Sequence, residues 1–154
     1  MIRSASDRDI PRIMELLEQV NEIHHIGRPD LFQKATKYSA EELKTILSDS
    51  LTPVFVWTNE KDETCGYAFC KTISVNGDRM LTDIKTLYID DLCVDENMRG
   101  KHIGTSLFEY VKAFAKENGF HNLTLNVWAL NPDAVRFYEA IGMQVQKYGM
   151  ELIL

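Results

Sequence analysis

VDENMRGKHIGT, from Val94 to Thr105, decides how the rest of the chain is read. The strand-like run Tyr88-Ile89-Asp90-Asp91-Leu92-Cys93-Val94 leads into it. Helical spacing begins where it ends, at Ile103, Leu107, Phe108, Val111, Phe114 and Ala115. The stretch is therefore a strand-to-helix turn. The start of a helix offers unpaired N–H groups and the positive end of the helix dipole. Gly100 and Gly104 let the backbone approach an anion closely, and Arg99 and Lys101 add positive charge. The chemistry expected is anion binding, most naturally of a phosphorylated cofactor. A Walker A loop is excluded because no Ser or Thr follows Lys101, and the dinucleotide pattern G-x-G-x-x-G is absent. Taken alone, the loop fits a plain turn with two glycines equally well.

Working outward, the upstream half begins with a short strand at Ile2 to Ala5. Ser6 or Asp7 then caps a helix through Ile10, Ile13, Leu16, Leu17 and Val20. Residues 24–38 mix Gly, Pro, His and aromatics and read as an irregular loop. Ser39 and Glu42 form a capping box for a second helix, to about Leu47. Pro53 to Thr58, Cys65 to Val75 and Leu81 to Val94 read as three strands, the last two joined by a turn at Asn76-Gly77-Asp78. Downstream, the loop's helix ends at Asn118-Gly119 and a strand spans Leu123 to Val127. Asn131 and Pro132 open a further helix that stops at Gly142, and Met143 to Leu154 supplies one or two closing strands. An antiparallel run followed by a β-α-β unit predicts a mixed α/β (α+β) fold with helices on both faces of the sheet.

The chain of 154 residues fits a single domain, residues 1–154, with no linker or repeat. Seventeen Lys and Arg stand against 23 Asp and Glu, a net charge of −6, which argues against a nucleic-acid partner. No run approaches a membrane span, and the N-terminus lacks the apolar core of a secretory signal. Cys65, Cys70 and Cys93 are odd in number and lack C-x-x-C spacing, so they read as reduced thiols. These features together predict a cytoplasmic protein.

A second stretch joins the first. Asn131-Pro132-Asp133-Ala134-Val135-Arg136-Phe137-Tyr138-Glu139-Ala140-Ile141-Gly142-Met143 places Asn131 and Tyr138 seven residues apart, on nearly the same helix face. With it, the sequence resembles the GNAT superfamily of N-acetyltransferases. That family's loop has the form [QR]-x-x-G-x-[GA] and its last helix the form N-x-x-A-x-x-F-Y-x-x-x-G-[FM]. Arg99, Ile103 and Gly104 fit the first pattern. His102 departs from it, standing where the first glycine usually does.

The resemblance implies a mostly antiparallel central sheet of six to seven strands with splayed central strands and about four flanking helices. It implies acetyl-CoA as co-substrate and no metal. The loop residues Arg99, Gly100, Lys101, His102, Ile103, Gly104 and Thr105 would hold its pyrophosphate. The backbone of Leu92, Cys93 and Val94 would run beside pantetheine, which Asn131 would also contact. Tyr138 would protonate the departing thiolate, a step open to a phenol of pKa roughly 10 facing a thiol of about 8.5. Cys93 reads as a small core residue, because no base partner is evident for a nucleophile.

Asp90 and Asp91 are adjacent, so a regular strand would point them to opposite faces. In the resembling enzymes this strand is often bulged, which would bring both acids to the cleft. One carboxylate would bind the substrate ammonium and one would take its proton, and sequence does not separate their roles; the alternative is that Asp90 or Asp91 merely pairs with a surface Lys or Arg. The local string is similar to the polyamine (diamine) acetyltransferases. His24 and His25 lack further ligands for a metal. His25, Arg28 and Phe32 lie in the segment that covers the acceptor site in the family. The expected reaction is direct acetyl transfer to a primary amine of a small molecule. A protein lysine or N-terminal acetyltransferase and a non-catalytic acyl-CoA-binding module are the alternatives. Related enzymes often form dimers, so the resemblance admits a homodimer.

Overall fold

The computed structural model describes residues 1–154. Five strands, β1 (Ile2–Ser4), β2 (Val54–Thr58), β3 (Thr64–Val75), β4 (Ile84–Val94) and β5 (Asn122–Leu125), form one sheet in sequential order. The first three pairings are antiparallel, and β5 lies parallel to β4. Four helices flank the sheet: α1 (Ile10–Gly27), α2 (Ala40–Ser48), α3 (Ile103–Glu117) and α4 (Pro132–Ala140). No helix is long and apolar enough to cross a membrane.

Two apolar layers follow from the period-two alternation of the strands. Val54, Val56, Tyr67 and Phe69 face Ile13, Leu16 and Leu17 of α1 and Leu43 of α2. Phe55, Ala68 and Cys70 point the other way, onto Ile103, Leu107, Phe108 and Val111 of α3. Gly66 sits where a Cβ would come within 2.9 Å of the Cys93 carbonyl oxygen and 3.2 Å of Leu107, so β3, β4 and α3 meet there only without a side chain. All three cysteines are buried and free.

The expected elements are present with two corrections. The segment expected as a loop from residue 24 begins later, because α1 continues to Gly27 and carries His24 and His25 in its last turn. The sheet has five strands rather than six to seven. Residues 144–154 have the expected strand-like alternation, but their amides make no backbone hydrogen bond. A strand exists only where another backbone pairs with it, and here none does.

Candidate active site

The β4–β5 ladder runs from Thr86–Asn122 to Ile89–Leu125 and stops. β4 continues from Asp90 to Val94 with no strand paired on that side. This open side leads to the turn between β4 and α3.

That turn is built from both sides. Asp95 is buried, caps a 3-10 turn at Glu96–Met98 by accepting from Asn97 N–H at 3.0 Å, and is paired with Arg12 of α1. No backbone N–H from Arg99 through Thr105 is hydrogen-bonded within the protein. Seven consecutive donors, with the exposed Arg99 and Lys101 beside them, fit the oxygens of a pyrophosphate. His102 has φ +58 and ψ +21 at the N-cap of α3, and Gly100 has φ +81. The histidine thus adopts the left-handed conformation for which glycine is the ordinary residue, at a cost of about 1–2 kcal/mol. Gly104 answers a different need. A Cβ there would lie 3.3 Å from Phe137 and 3.6 Å from Val94, so it lets α3 close on α4.

The acidic pair sits on a bulge. Phe69 pairs with Asp91 and Cys70 with Ile89, leaving Asp90 as the extra residue. The bulge reverses the alternation of β4. Leu87 and Ile89 face α3, whereas Cys93 faces α1. Both carboxylates therefore turn to the α1 side.

Their surroundings separate what the sequence could not. Asp90 accepts from the Tyr38 hydroxyl and is paired with Lys37 at 3.2 Å and Lys71 at 3.4 Å. Burial pushes its pKa up, but Tyr38, Lys37 and Lys71 hold it below the usual carboxylate value. Asp91 accepts from the Tyr67 hydroxyl at 2.7 Å and has no ion-pair partner. Burial raises its pKa, and the hydrogen bond from Tyr67 offsets that only in part. A carboxylate with a raised pKa is the better base of the two.

Tyr138 lies on α4. Burial raises its pKa, and the nearby Asp91 and Cys93 add to the rise. No hydrogen bond within the protein engages its hydroxyl, so it stays protonated with its proton free to be donated. The Cys93 thiol is pushed up to about 12 by burial and by Asp91, which leaves it protonated and unsuited to nucleophilic attack. Asn131 caps α4, its side-chain oxygen accepting from Ala134 N–H at 3.3 Å. Its amide N–H groups remain for a ligand. The peptide of Leu92 and the strand to Val94 line the unpaired edge of β4.

The segment after α1 is held by its own side chains. His25 Nδ1 is 2.6 Å from the Phe32 carbonyl oxygen, and the Phe32 ring packs on His24 at 4.8 Å and edge-on to Trp128 at 5.1 Å. Arg28 is occupied by Asp30 at 2.8 Å and Glu151 at 2.5 Å, so its charge is matched. Tyr67, Tyr38, Lys37 and Lys71 escaped sequence reasoning. Their role depends on the register of β3 against β4 and on where residues 37–38 return to the sheet, and neither leaves a local signal.

Comparison with known proteins bears on the family and the fold. The model of the acetyltransferase (GNAT) family matches residues 16–143. A single-site mutant of the BH1408 protein from Bacillus halodurans is 30% identical, with TM-score 0.96, covering 100% of this chain and 99% of that one. An aminoglycoside acetyltransferase from an uncultured soil metagenomic sample, solved in complex with sisomicin, has the same fold at TM-score 0.74 and 18% identity, covering 100% of this chain and 94% of that one. A transcriptional regulator from Bacillus halodurans C-125 is 22% identical at TM-score 0.79, covering 100% and 99%. No curated protein matches the sequence.

Proposed function

We propose a specific reaction for this chain, which belongs to the acetyltransferase (GNAT) family: transfer of an acetyl group from acetyl-CoA to the primary amine of a small molecule, by direct attack. The observation that carries this reading is the pairing of roles beside the unpaired stretch of β4. Asp91 is a carboxylate of raised pKa that no cation pairs directly, and Tyr138 is a protonated phenol without an acceptor.

The seven free N–H groups of Arg99 to Thr105, with Arg99 and Lys101, bind the pyrophosphate. The free edge of β4 from Leu92 to Val94 accepts the pantetheine amides as an added strand would, with Asn131 opposite. An N–H on that edge polarises the thioester carbonyl. Asp91, directly or through water, takes the proton that an ammonium must lose before its nitrogen can attack. Tyr138 gives its proton to the sulfur as the carbon–sulfur bond breaks, and is reprotonated from solvent.

Asp90 has a different part. Its charge is already matched by Lys37 and Lys71, so one carboxylate rather than two remains for the acceptor. That favours an acceptor presenting one ammonium over a polyamine. His25 and Phe32 hold the wall on the acceptor side, and Arg28 is turned to Asp30 and Glu151.

The test is release of free thiol from acetyl-CoA with polyamines, amino acids, aminoglycosides and peptides as acceptors. Turnover with small amines and none with peptides is expected. Tight acetyl-CoA binding with no thiol released for any amine would make the chain a binding module and remove the reading.

A further inference from the structure

Asp90 is outnumbered. Two ammonium groups meet its one carboxylate, Lys37 at 3.2 Å from Oδ2 and Lys71 at 3.4 Å from Oδ1. Lys37 also donates to the Asp90 carbonyl oxygen at 3.1 Å. The carboxylate is nearly buried, 8% exposed, whereas the lysine side chains are 42% and 45% exposed. One lysine and the Tyr38 hydroxyl would satisfy this acid, so the fold does not account for the second cation. Neither lysine pairs with another carboxylate. One positive charge is left over, on the side that solvent reaches.

That charge stands beside the proposed base. Phe69 belongs to the α1 layer and Cys70 to the α3 layer, so Lys71, next along β3, faces α1 as both acids do. The charge of Lys37 acts on Asp91 as well as on Asp90. Tyr88 pairs with Lys71 across the ladder and faces the same way. Its hydroxyl accepts from the Asn126 amide at 3.4 Å, which leaves its own proton to donate. The other groups nearby neither add to the spare charge nor cancel it. Burial, and then Lys37, lowers the pKa of His24. Glu42 is exposed on α2 and pairs with neither lysine. Arg28 is answered by Asp30 and Glu151.

On the basis of the acetyl transfer proposed above, we infer that the acceptor is an α-amino acid, its amine set at Asp91 and its carboxylate held by Lys37 and Lys71. The charges match. Asp90 and Asp91 against the two lysines sum to zero, and so does a zwitterion laid across them. A single spare cation suits a carboxylate, whereas a phosphate dianion would leave a negative charge unanswered. The spacing matches too. The nitrogen and carboxylate carbon of an α-amino acid are roughly 2.5 Å apart, and the base and the anion site are set by adjacent residues, whose Cα atoms are about 3.8 Å apart. In the reaction the nitrogen–carbon bond forms as the carbon–sulfur bond breaks. The ammonium loses two protons in all, Tyr138 gives one to sulfur and is reprotonated, and one is released to solvent. The products are the N-acetyl amino acid and CoA. A peptide, whose first carboxyl is an amide, offers the lysines nothing.

The experiment compares the common α-amino acids with their α-amides and their decarboxylated amines, and adds O-phosphoethanolamine as the phosphate arm. Each is read twice, by thiol release from acetyl-CoA and by calorimetric titration into the CoA-loaded enzyme. The best amino acid should exceed its amide and its amine by about 10-fold or more in kcat/KM and in affinity, the range of a hydrogen bond to a charged group. That preference should disappear in Lys71→Gln and in Lys37→Gln, and return in Lys71→Arg, which keeps the charge. Both lysines are partly exposed, so the variants leave the core intact. Amines accepted as well as their parent acids overturn the inference. So does a preference for the acid that neither lysine variant moves, and so does O-phosphoethanolamine as the best acceptor. No thiol released with any acceptor removes the acetyl-transfer reading instead. In that case the titration still decides the carboxylate site: the acid bound over its amide supports it, and equal binding overturns it.

Discussion

The Tyr67 hydroxyl on β3 donates a 2.7 Å hydrogen bond to Oδ2 of Asp91 on β4. This bond favours the charged carboxylate against burial and the neighbouring Asp90, both of which disfavour it. Asp91 also faces the Leu92 N–H, Lys37, Tyr138 and Cys93. Removing the donor in Tyr67→Phe therefore raises the Asp91 pKa. A base works deprotonated, so the acid limb of kcat/KM moves to higher pH, by about one unit for a hydrogen bond to a charged group. The KM for acetyl-CoA should stay within a few-fold. An unmoved acid limb would separate Tyr67 from the base.

Asp90 and Asp91 should respond differently to the same change. Asp91→Asn should lower kcat by about 100-fold or more, the range of a lost general base. Asp90→Asn should leave kcat within a few-fold and raise the acceptor KM, because Asp90 ties Lys37 and Tyr38 to β4. Steady-state kinetics on the two variants decide the matter, and the reverse pattern would exchange their roles.

Tyr138→Phe removes the proton and keeps the ring that packs on Phe137 at 5.2 Å. Turnover should fall by about 10- to 100-fold with acetyl-CoA affinity unchanged. Calorimetric titration with a thiol-blocked CoA analogue, beside the thiol assay, separates the two effects. Unchanged turnover would take the tyrosine out of the reaction.

His102→Gly relieves a left-handed residue while loosening the unfolded chain. These opposing terms leave stability equal or higher by up to about 1 kcal/mol. His102→Val, β-branched at the same φ of +58, should lose about 1–2 kcal/mol and bind acetyl-CoA less tightly. Urea unfolding of both variants measures this.

Acid stability should track Asp9. Burial pushes this carboxyl up, but two hydrogen bonds from Arg3, one from the Ser6 N–H and one from the Thr64 hydroxyl bring its pKa down to about 2. The unfolded value is 3.8. A depressed pKa contributes stability that is complete above the unfolded value and lost as pH falls through the folded one. About 2 kcal/mol should therefore disappear between about pH 4 and 2. Asp9→Asn should be less stable at neutral pH and lose that part of the slope in acid unfolding.

The candidate role of Tyr138 came through the resemblance to the family. The sequence by itself determined the strand-to-helix turn from Val94 to Thr105, the caps at Ser39 and Asn131, and the faces of α1 and α3. These depend on residues close together in the chain, where the helix period, glycine placement and cap chemistry act. Pairing lay beyond it. Only the register of β3 against β4 leaves Asp90 in a bulge, turns both acids to one face, and sets Tyr67 on one and Lys37, Lys71 and Tyr38 on the other. The same limit explains the strand count. Alternation from Tyr148 to Leu154 records that a segment can be a strand, whereas being one requires a neighbouring backbone, which these residues do not find within their own chain.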